Sequence, residues 1–454
     1  MGHRARAERV HAVSRYRVGR EGKPHRKSSE IAKQDPPRNS RASCSDGLAC
    51  TRTRRRSRLQ SPSASEQRGR RAVAVRLPQP AHAQRVHAGI VAPPAVGSRA
   101  VPAPDLLLRL LEARGPSGFE SEPAAIWREA AATFADVSVD DMGSSVARVR
   151  AADAGAPLLA VFGHVDEIGL IVTHADEQGY LSFRGLGGWT PEVLVGQRVE
   201  VLSREGPVPG VVQVRRDPSR REEKRAPELN ALHVDIGARS REEALAAVRL
   251  GDPAVLAPAP VQLLNGRLAS RALDNRLGAY IALEAARRVA EAGDARCHVA
   301  AVASVQEEVA GDYLGARTSA YALRPALAIA VDVTPATDVP GGDATETGEQ
   351  RLGGGAALLR GPGADARIFE LLREAADAEG IAWAVEVSTG RSHTDADAVV
   401  ASRAGVPTGV VSVPTRYLHT PGELVDLEDL EACVRVVTAF ARRLDPAAWA
   451  PPLG

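Results

Sequence analysis

HVAAVASVQEEVAGDYLGA, residues 298–316, runs from an apolar stretch of strand character straight into two adjacent carboxylates, Glu307 and Glu308. A short apolar run broken in this way reads as a strand buried on both faces. A carboxylate taken out of water costs several kcal/mol unless it is paired or metal-bound, so two in succession call for a cation or a proton nearby. The same arrangement recurs along the chain. APLLAVFGHVDEIGLIV, residues 156–172, places His164 and Asp166 just beyond LLAVF, and RPALAIAVDVTPATD, residues 324–338, puts Asp332 at the end of LAIAV. GVPTGVVSVPTRYLHTP, residues 405–421, carries His419 shortly after VVSV, and RALDNRLGAYIALEAARRVAEAG, residues 271–293, sets Asp274 at the mouth of an amphipathic helix. Such alternation predicts an α/β protein with a largely parallel sheet. Ligands of such sheets bind outside the carboxyl ends of the strands, and these segments are expected to converge on one crevice.

The donors define the chemistry. Two imidazoles and three or more carboxylates, with no thiolate among them, suit Zn, Co or Mn. The set is large enough for two ions that polarise a carbonyl and activate water, with a spare glutamate as general base. Taken singly, each residue has a plainer reading: Asp274 as a helix N-cap, Asp332 as a turn former, His164 or His419 as a hydrogen-bonded surface group, the glutamate pair as a solvated loop. Thr394 and Asp395, in RSHTDADA, read equally well as site residues and as turn chemistry. They and His393 stay outside the ligand set.

GHVDEIGLIV, RALDNRLGAY, SVQEEV with the following GART, AIAVDVTPATDVPG and VPTRYLHTPGELVDLEDL, in this order, resemble the dinuclear metallo-aminopeptidases. That family includes the glutamyl, deblocking and tetrahedral aminopeptidases, and some members carry an endoglucanase or cellulase label. The resemblance runs from about Pro104 to Leu444. It implies two divalent ions per subunit, Zn or Co ahead of Mn, with His164 and Asp332 as terminal ligands of one, Glu308 and His419 as terminal ligands of the other, and Asp274 bridging both. It implies a catalytic pair as well: Glu307 as the general base that takes a proton from a water between the ions, and Asp166 as the partner that orients His164. The implied activity is hydrolysis of the first peptide bond of peptides with a free amino terminus. The implied fold is a three-layer α/β/α sandwich around a mixed, largely parallel sheet, with an inserted small all-β, PDZ-like dimerisation domain. The implied assembly is a homo-oligomer, from a dimer up to a tetrahedral dodecamer. Two departures stand out: Val165 where the family often has Met, and VAGDYLGA, longer than the usual loop after the two glutamates, which bears on substrate access.

Length and composition agree with a sizeable enzyme, since 454 residues with 44% hydrophobic content can bury one large core and an inserted module. A net charge of +2 conceals an asymmetry, with 23 Lys and Arg against 6 Asp and Glu before residue 100 and 35 against 50 afterwards. The basic tail, residues 1–103, is rich in Arg, Ser and Pro and is expected to be disordered. It has no apolar core of about 7–15 residues like that of a secretory signal, and no stretch nears the ~20 apolar residues of a membrane helix. A cytoplasmic location without membrane contact is therefore expected, with nucleic-acid binding confined to non-specific attraction by the tail. Cys44 and Cys50 fall in the tail and Cys297 and Cys433 in apolar segments, so no disulfide framework is implied.

The catalytic domain is expected over residues 104–175 and 261–446, with a short C-terminal tail at 447–454. Short β-like runs separated by Gly and Pro mark the insertion at 176–260. Residues 104–115 and 120–136 read as two helices, 137–151 as a hairpin, and 426–444 as a closing helix capped by Asp426. Ser240 and Glu243 read as a capping box, and Gly187 and Gly188 as backbone turns rather than a phosphate cradle. Two competing functions remain. A deacylase of N-acyl amino acids or peptides would use the same site. A glycosidase needs two carboxylates, but neither histidine, and the 4% aromatic content offers no platform for sugar stacking.

Overall fold

A computed structural model of the chain describes residues 102–215, 226–257 and 259–449. The basic tail, with Cys44 and Cys50, lies outside the described residues, as do residues 450–454. The strands in chain order are β1 (Asp136–Val139), β2 (Ser145–Val149), β3 (Leu158–His164), β4 (Gly169–Ala175), β5 (Leu181–Leu186), β6 (Arg198–Ser203), β7 (Gly206–Val214), β8 (Leu232–Asp235) and β9 (Pro253–Leu256). They continue with β10 (Val261–Gln262), β11 (Arg267–Ser270), β12 (His298–Ser304), β13 (Leu327–Pro335), β14 (Ala356–Arg360), β15 (Trp383–Val387), β16 (Thr408–Thr415) and β17 (Glu423–Asp426).

Eight of them form one mixed sheet in the order β1-β2-β12-β3-β13-β16-β14-β15. The four central strands β12, β3, β13 and β16 are parallel neighbours, flanked by antiparallel β2 and β14. Their apolar runs are continuous because both faces are covered. In β3, Leu159 and Val161 join the core beneath the Leu273–Ala292 and Leu427–Arg443 helices, while Ala160 and Phe162 join a second core with the Leu314–Leu323 and Ala396–Val400 helices. This alternation is the period of two expected of a strand between two helical layers. Parallel pairing aligns the strand ends, with Ser304 opposite His164 and Asp332 opposite Ser412.

The helices and hairpin at the start of the body form as Asp105–Glu112, Ser121–Ala131 and the antiparallel β1–β2 pair, with the second helix ending five residues before the expected 136. Asp426 caps the closing helix by accepting from the Glu428 N–H. Ser240 accepts from the Glu243 N–H, but the Glu243 carboxylate turns to the Arg239 N–H instead of completing the box at Ser240. After β3 the chain enters a closed antiparallel barrel, β4-β5-β8-β7-β6-β9, with a core of its own that includes Leu170, Phe183, Val199 and Val234. Its first strand begins at Gly169, because the LIV run after His164 pairs with β5 and β9. At the other end of the chain, Pro446–Trp449 make a further helical turn, with Trp449 buried under the Arg367 guanidinium. Among the described residues, no helix is long and apolar enough to cross a membrane.

A three-stranded antiparallel sheet, β10-β11-β17, has no counterpart in the sequence pattern, because a two-residue strand carries no periodicity. It pairs Ser270 with Glu423, tying the segment before Asp274 to the one after His419. The Leu273–Ala292 helix approaches β3 and β13 closely only because two glycines face it. A Cβ on Gly163 would stand 2.2 Å from the Gly278 carbonyl carbon, and one on Gly278 would stand 2.3 Å from the Val331 carbonyl oxygen. Both obstacles are backbone, so Gly163→Ala and Gly278→Ala are each expected to lower stability by about 1–3 kcal/mol or more. Gly155→Ala, on an exposed loop, serves as the neutral control, and urea midpoints of the three variants check the expectation.

Candidate active site

The aligned strand ends bring the expected residues together. His164 closes β3, Glu307 and Glu308 follow β12 in a single helical turn, Asp332 lies in β13, and His419 follows β16. Asp274 comes from the start of the Leu273–Ala292 helix, where Asp274 and Asn275 leave helical angles and the peptide between them is cis. The Asp274 carboxylate stands between the two imidazoles, with Oδ1 3.2 Å from His164 Nε2 and Oδ2 3.2 Å from His419 Nε2. Glu308 Oε2 lies 3.5 Å from His419 Nε2, while Glu307 Oε2 and Asp332 Oδ1 lie 3.8 and 4.0 Å from His164 Nε2. Donor atoms of His164, Asp274 and Glu308 fall within 4.8 Å of one another, and so do those of His164, Glu307 and Asp332. His164 is closed off from solvent, whereas the His419 side chain is 35% exposed and forms the open side.

The electrostatics of this group fit divalent cations. Burial pushes Glu307, Glu308 and Asp332 well above the ordinary carboxylate range, reinforced by Asp332 at Glu307 and by Asp274 at the other two. Glu308 Oε1 is buried with no hydrogen-bond partner. Among the described residues, no Arg or Lys forms an ion pair with any of the three. Burial opposes charge on Asp274 as well, but its contacts with His164 and His419 hold it well below the usual range. Burial likewise works against a charged His164, yet Glu307, Asp166 and Asp274 outweigh it and raise the imidazole well above its ordinary value. Oxygen and imidazole donors around uncompensated negative charge are what Zn, Co or Mn take.

Asp166 faces His164 Nδ1 at 3.3 Å and accepts from Ser117 Oγ at 2.5 Å and from the N–H groups of Glu307 and Glu308 at 3.2 Å each. Burial opposes its ionisation, but these bonds hold the carboxyl below its usual range. It thereby joins the His164 strand to the Glu307–Glu308 turn. Two residues with related roles escape a reading of the sequence. Ser117 sits in what reads as a plain interhelical loop. Glu423, buried, accepts from the Asp274 N–H at 3.1 Å and the His419 N–H at 3.0 Å, fixing two site segments through one carboxylate. An acid four residues after His419 was its one available signal. Glu167 plays a similar part from below, paired with Arg271 and, at 2.9 Å, with Arg276, whose Nε donates to the Val165 carbonyl at 2.5 Å.

Asp395 is buried beneath the site and accepts from Ser304 Oγ, and burial pushes its carboxyl up to about 6. Thr394 and His393 line the cleft wall, with His393 in the left-handed region. That cleft, about 560 Å³, reaches from His164, Asp274 and His419 past Gly311 and Tyr313, between the Glu307–Ala310 turn and the Leu314–Leu323 helix, to Glu346 and Glu386. On the open side, the turn after β5 presses against the centre: a Cβ on Gly187 would stand 3.5 Å from Glu308 Oε2, and one on Gly188 would stand 3.4 Å from His419 Nδ1.

The family profile described as M42 glutamyl aminopeptidase matches residues 143–436. The chain is 33% identical over 356 residues to the lysyl aminopeptidase of Pyrococcus furiosus, covering 76% of this chain and 99% of that protein. Among solved structures it is similar to the TET aminopeptidase of the marine sediment archaeon Thaumarchaeota archaeon SCGC AB-539-E09, at 36% identity and a TM-score of 0.70, over 75% of this chain and 96% of that one. It is also similar to the TET1 peptidase of Pyrococcus horikoshii, which assembles into a tetrahedron or a large octahedral shell, at 30% identity and a TM-score of 0.66, over 75% and 99% of the two chains.

The raised groups set the pH response of the protein stripped of metal. Above the unfolded values of 3.8 and 4.5 for the carboxyls and 6.5 for the imidazole, the folded state holds more protons than the unfolded chain, so stability falls as pH rises. Asp166 and Asp274, with lowered values, act in the opposite sense only in acid, below 3.8. The urea midpoint of chelator-treated protein is thus expected to drop from about pH 5.5 to about pH 8, and saturating Zn or Co is expected to remove the part due to His164, Glu307, Glu308 and Asp332 while leaving that of Glu120, Asp395 and Asp429. Glu423→Ala releases the Asp274 and His419 backbones together and is expected to weaken Co binding by about 10–100-fold, measured by calorimetry.

Proposed function

Since this chain belongs to the M42 glutamyl aminopeptidase family, and is thereby a peptide hydrolase, we propose that it releases the amino-terminal residue of small peptides at the His164–Asp274–His419 centre. The observation that carries this reading is the Asp274 carboxylate, with one oxygen 3.2 Å from each of two imidazoles. We assign His164 and Asp332 to one divalent ion, Glu308 and His419 to a second, and Asp274 to both, with Zn or Co ahead of Mn. Bound ions would supply Lewis acidity toward the scissile carbonyl and make water acidic enough to attack near neutral pH.

The chain's own residues do the rest. Glu307, its carboxyl raised by burial, takes the proton of the attacking water at Oε2 and returns it to the leaving amine nitrogen. Asp166, held ionised, keeps His164 Nδ1 protonated and Nε2 turned to the centre. We further propose that the catalytic part expected at 104–175 and 261–446 gives up Gly169–Ala175 to the barrel, and that the barrel takes the PDZ-like dimerisation role expected of 176–260. On this reading the protein is a cytoplasmic homo-oligomer, between a dimer and a tetrahedral dodecamer, and the tail at 1–103 makes only non-specific nucleic-acid contacts. The shells formed by the TET1 peptidase of Pyrococcus horikoshii support assembly.

The test is hydrolysis of free and N-acetylated short peptides by chelator-treated protein before and after return of Zn or Co. Release of single amino-terminal residues only after metal return is expected, whereas preference for acetylated peptides would move the reading to a deacylase. Cleavage of polysaccharide alone would favour the glycosidase. Glu307→Gln is expected to keep bound metal and lose about 10²–10⁴-fold in kcat. Asp274→Ala is expected to lose the metal as well, measured by elemental analysis after gel filtration.

A further inference from the structure

The far end of the cleft holds a second, separate concentration of negative charge. Glu386 lies in β15 opposite Leu359, and its Oε1 accepts from Thr334 Oγ1 at 2.8 Å. Thr334 stands two residues beyond Asp332 on β13, hence on the same face of the sheet and roughly 6–7 Å further along it. Oε2 is out of reach of water, and the groups that face this carboxyl are the uncharged hydroxyls of Thr334 and Ser412. Burial raises this carboxyl above its ordinary value, as it does for an acid without a countercharge.

Glu346 lines the same end of the cleft from the exposed rim, and among the described residues it too has no ion-pair partner. The Val387 N–H donates to the Thr347 carbonyl at 2.9 Å, which fastens the rim loop beside Glu386. The cationic side chain in the cleft lining, Arg391, is already engaged, paired with Asp397 at 3.2 Å and lying over the Tyr313 ring. Val333 and Leu359 give the cleft apolar wall.

We propose that Glu386 and Glu346 form the pocket for the side chain of the amino-terminal residue and select lysine and arginine. This inference rests on the aminopeptidase reading above and deepens it. With the amino terminus at the His164–His419 centre, the long stem of lysine runs along the cleft toward Glu386 and Glu346. Its methylenes run along the apolar wall while the ammonium ends between the two glutamates. Arginine adds a fork suited to a carboxylate. An amino-terminal acid meets like charge and is rejected.

Metal-loaded full-length enzyme would be assayed on aminoacyl p-nitroanilides of Lys, Arg, Ala, Leu and Glu. The expected kcat/KM for Lys and Arg exceeds that for Ala and Leu by at least about tenfold, and the Glu substrate is the poorest. In the Glu386→Gln, Glu346→Gln double variant the Lys:Ala ratio of kcat/KM is expected to fall by at least about tenfold, with much of the change in KM. Should the double variant fail to fold, the wild-type ratios and Glu346→Gln alone, an exposed substitution, decide. A wild-type enzyme that prefers Ala or Leu overturns this proposal alone, as does a double variant that keeps the Lys:Ala ratio. A wild-type enzyme that releases no amino-terminal residue from any substrate overturns the aminopeptidase reading and this one with it.

Discussion

Carboxylates gathered in a cleft with no cationic side chain to pair them are the constraint on which the rest of this molecule depends. Glu307, Glu308, Asp332 and Asp274 crowd two imidazoles at the ends of four parallel strands, and no Arg or Lys among the described residues forms an ion pair with them. The chain relieves part of the cost with hydrogen bonds. Asp166 collects two backbone N–H groups and the Ser117 hydroxyl, Glu423 collects the N–H groups of Asp274 and His419, and Glu167 takes two guanidinium groups. These three acids surround the ones that no cationic side chain meets. The arrangement separates acids that build the frame from acids that wait for a cation.

The frame explains the neighbouring sequence as much as the site does. Residues 271–278 must pass within van der Waals reach of β3 and β13 while delivering Asp274 to the centre, so the stretch carries two arginines that anchor it to Glu167 and a glycine where any side chain would strike backbone. Asn275 uses both ends of its amide, donating to the Val331 carbonyl and accepting from the Gly278 N–H at 2.8 Å each. The RALDNRLG motif is therefore a packing solution as well as a source of one ligand.

What was legible in the sequence follows from how each contact is encoded. His164, Glu307, Glu308, Asp332 and His419 announce themselves because each interrupts or follows an apolar run, a signal contained within about ten residues. The alternation of such runs with amphipathic stretches likewise gives the layered α/β class. Ser117 and Glu423 act across 49 and 149 positions on partners that no local period connects. Glu386 lies in the short strand WAVEV, where its hydrogen bond from Thr334 spans 52 residues. Closure of the barrel is also non-local: β9 meets both β4 and β6 only after the intervening strands are paired. Such features come from the assembled sheet and are absent from any one segment.

The turn after β5, where Gly187 and Gly188 sit against Glu308 and His419, gives the inserted barrel a share in the centre's wall. Trp189 reinforces that placement through its indole N–H to the Gly169 carbonyl at 2.7 Å. The barrel is therefore not an exchangeable cassette. Trimming it, or grafting in a relative's version, would remodel the ground beside a histidine more than 200 residues downstream, even though each part has its own core.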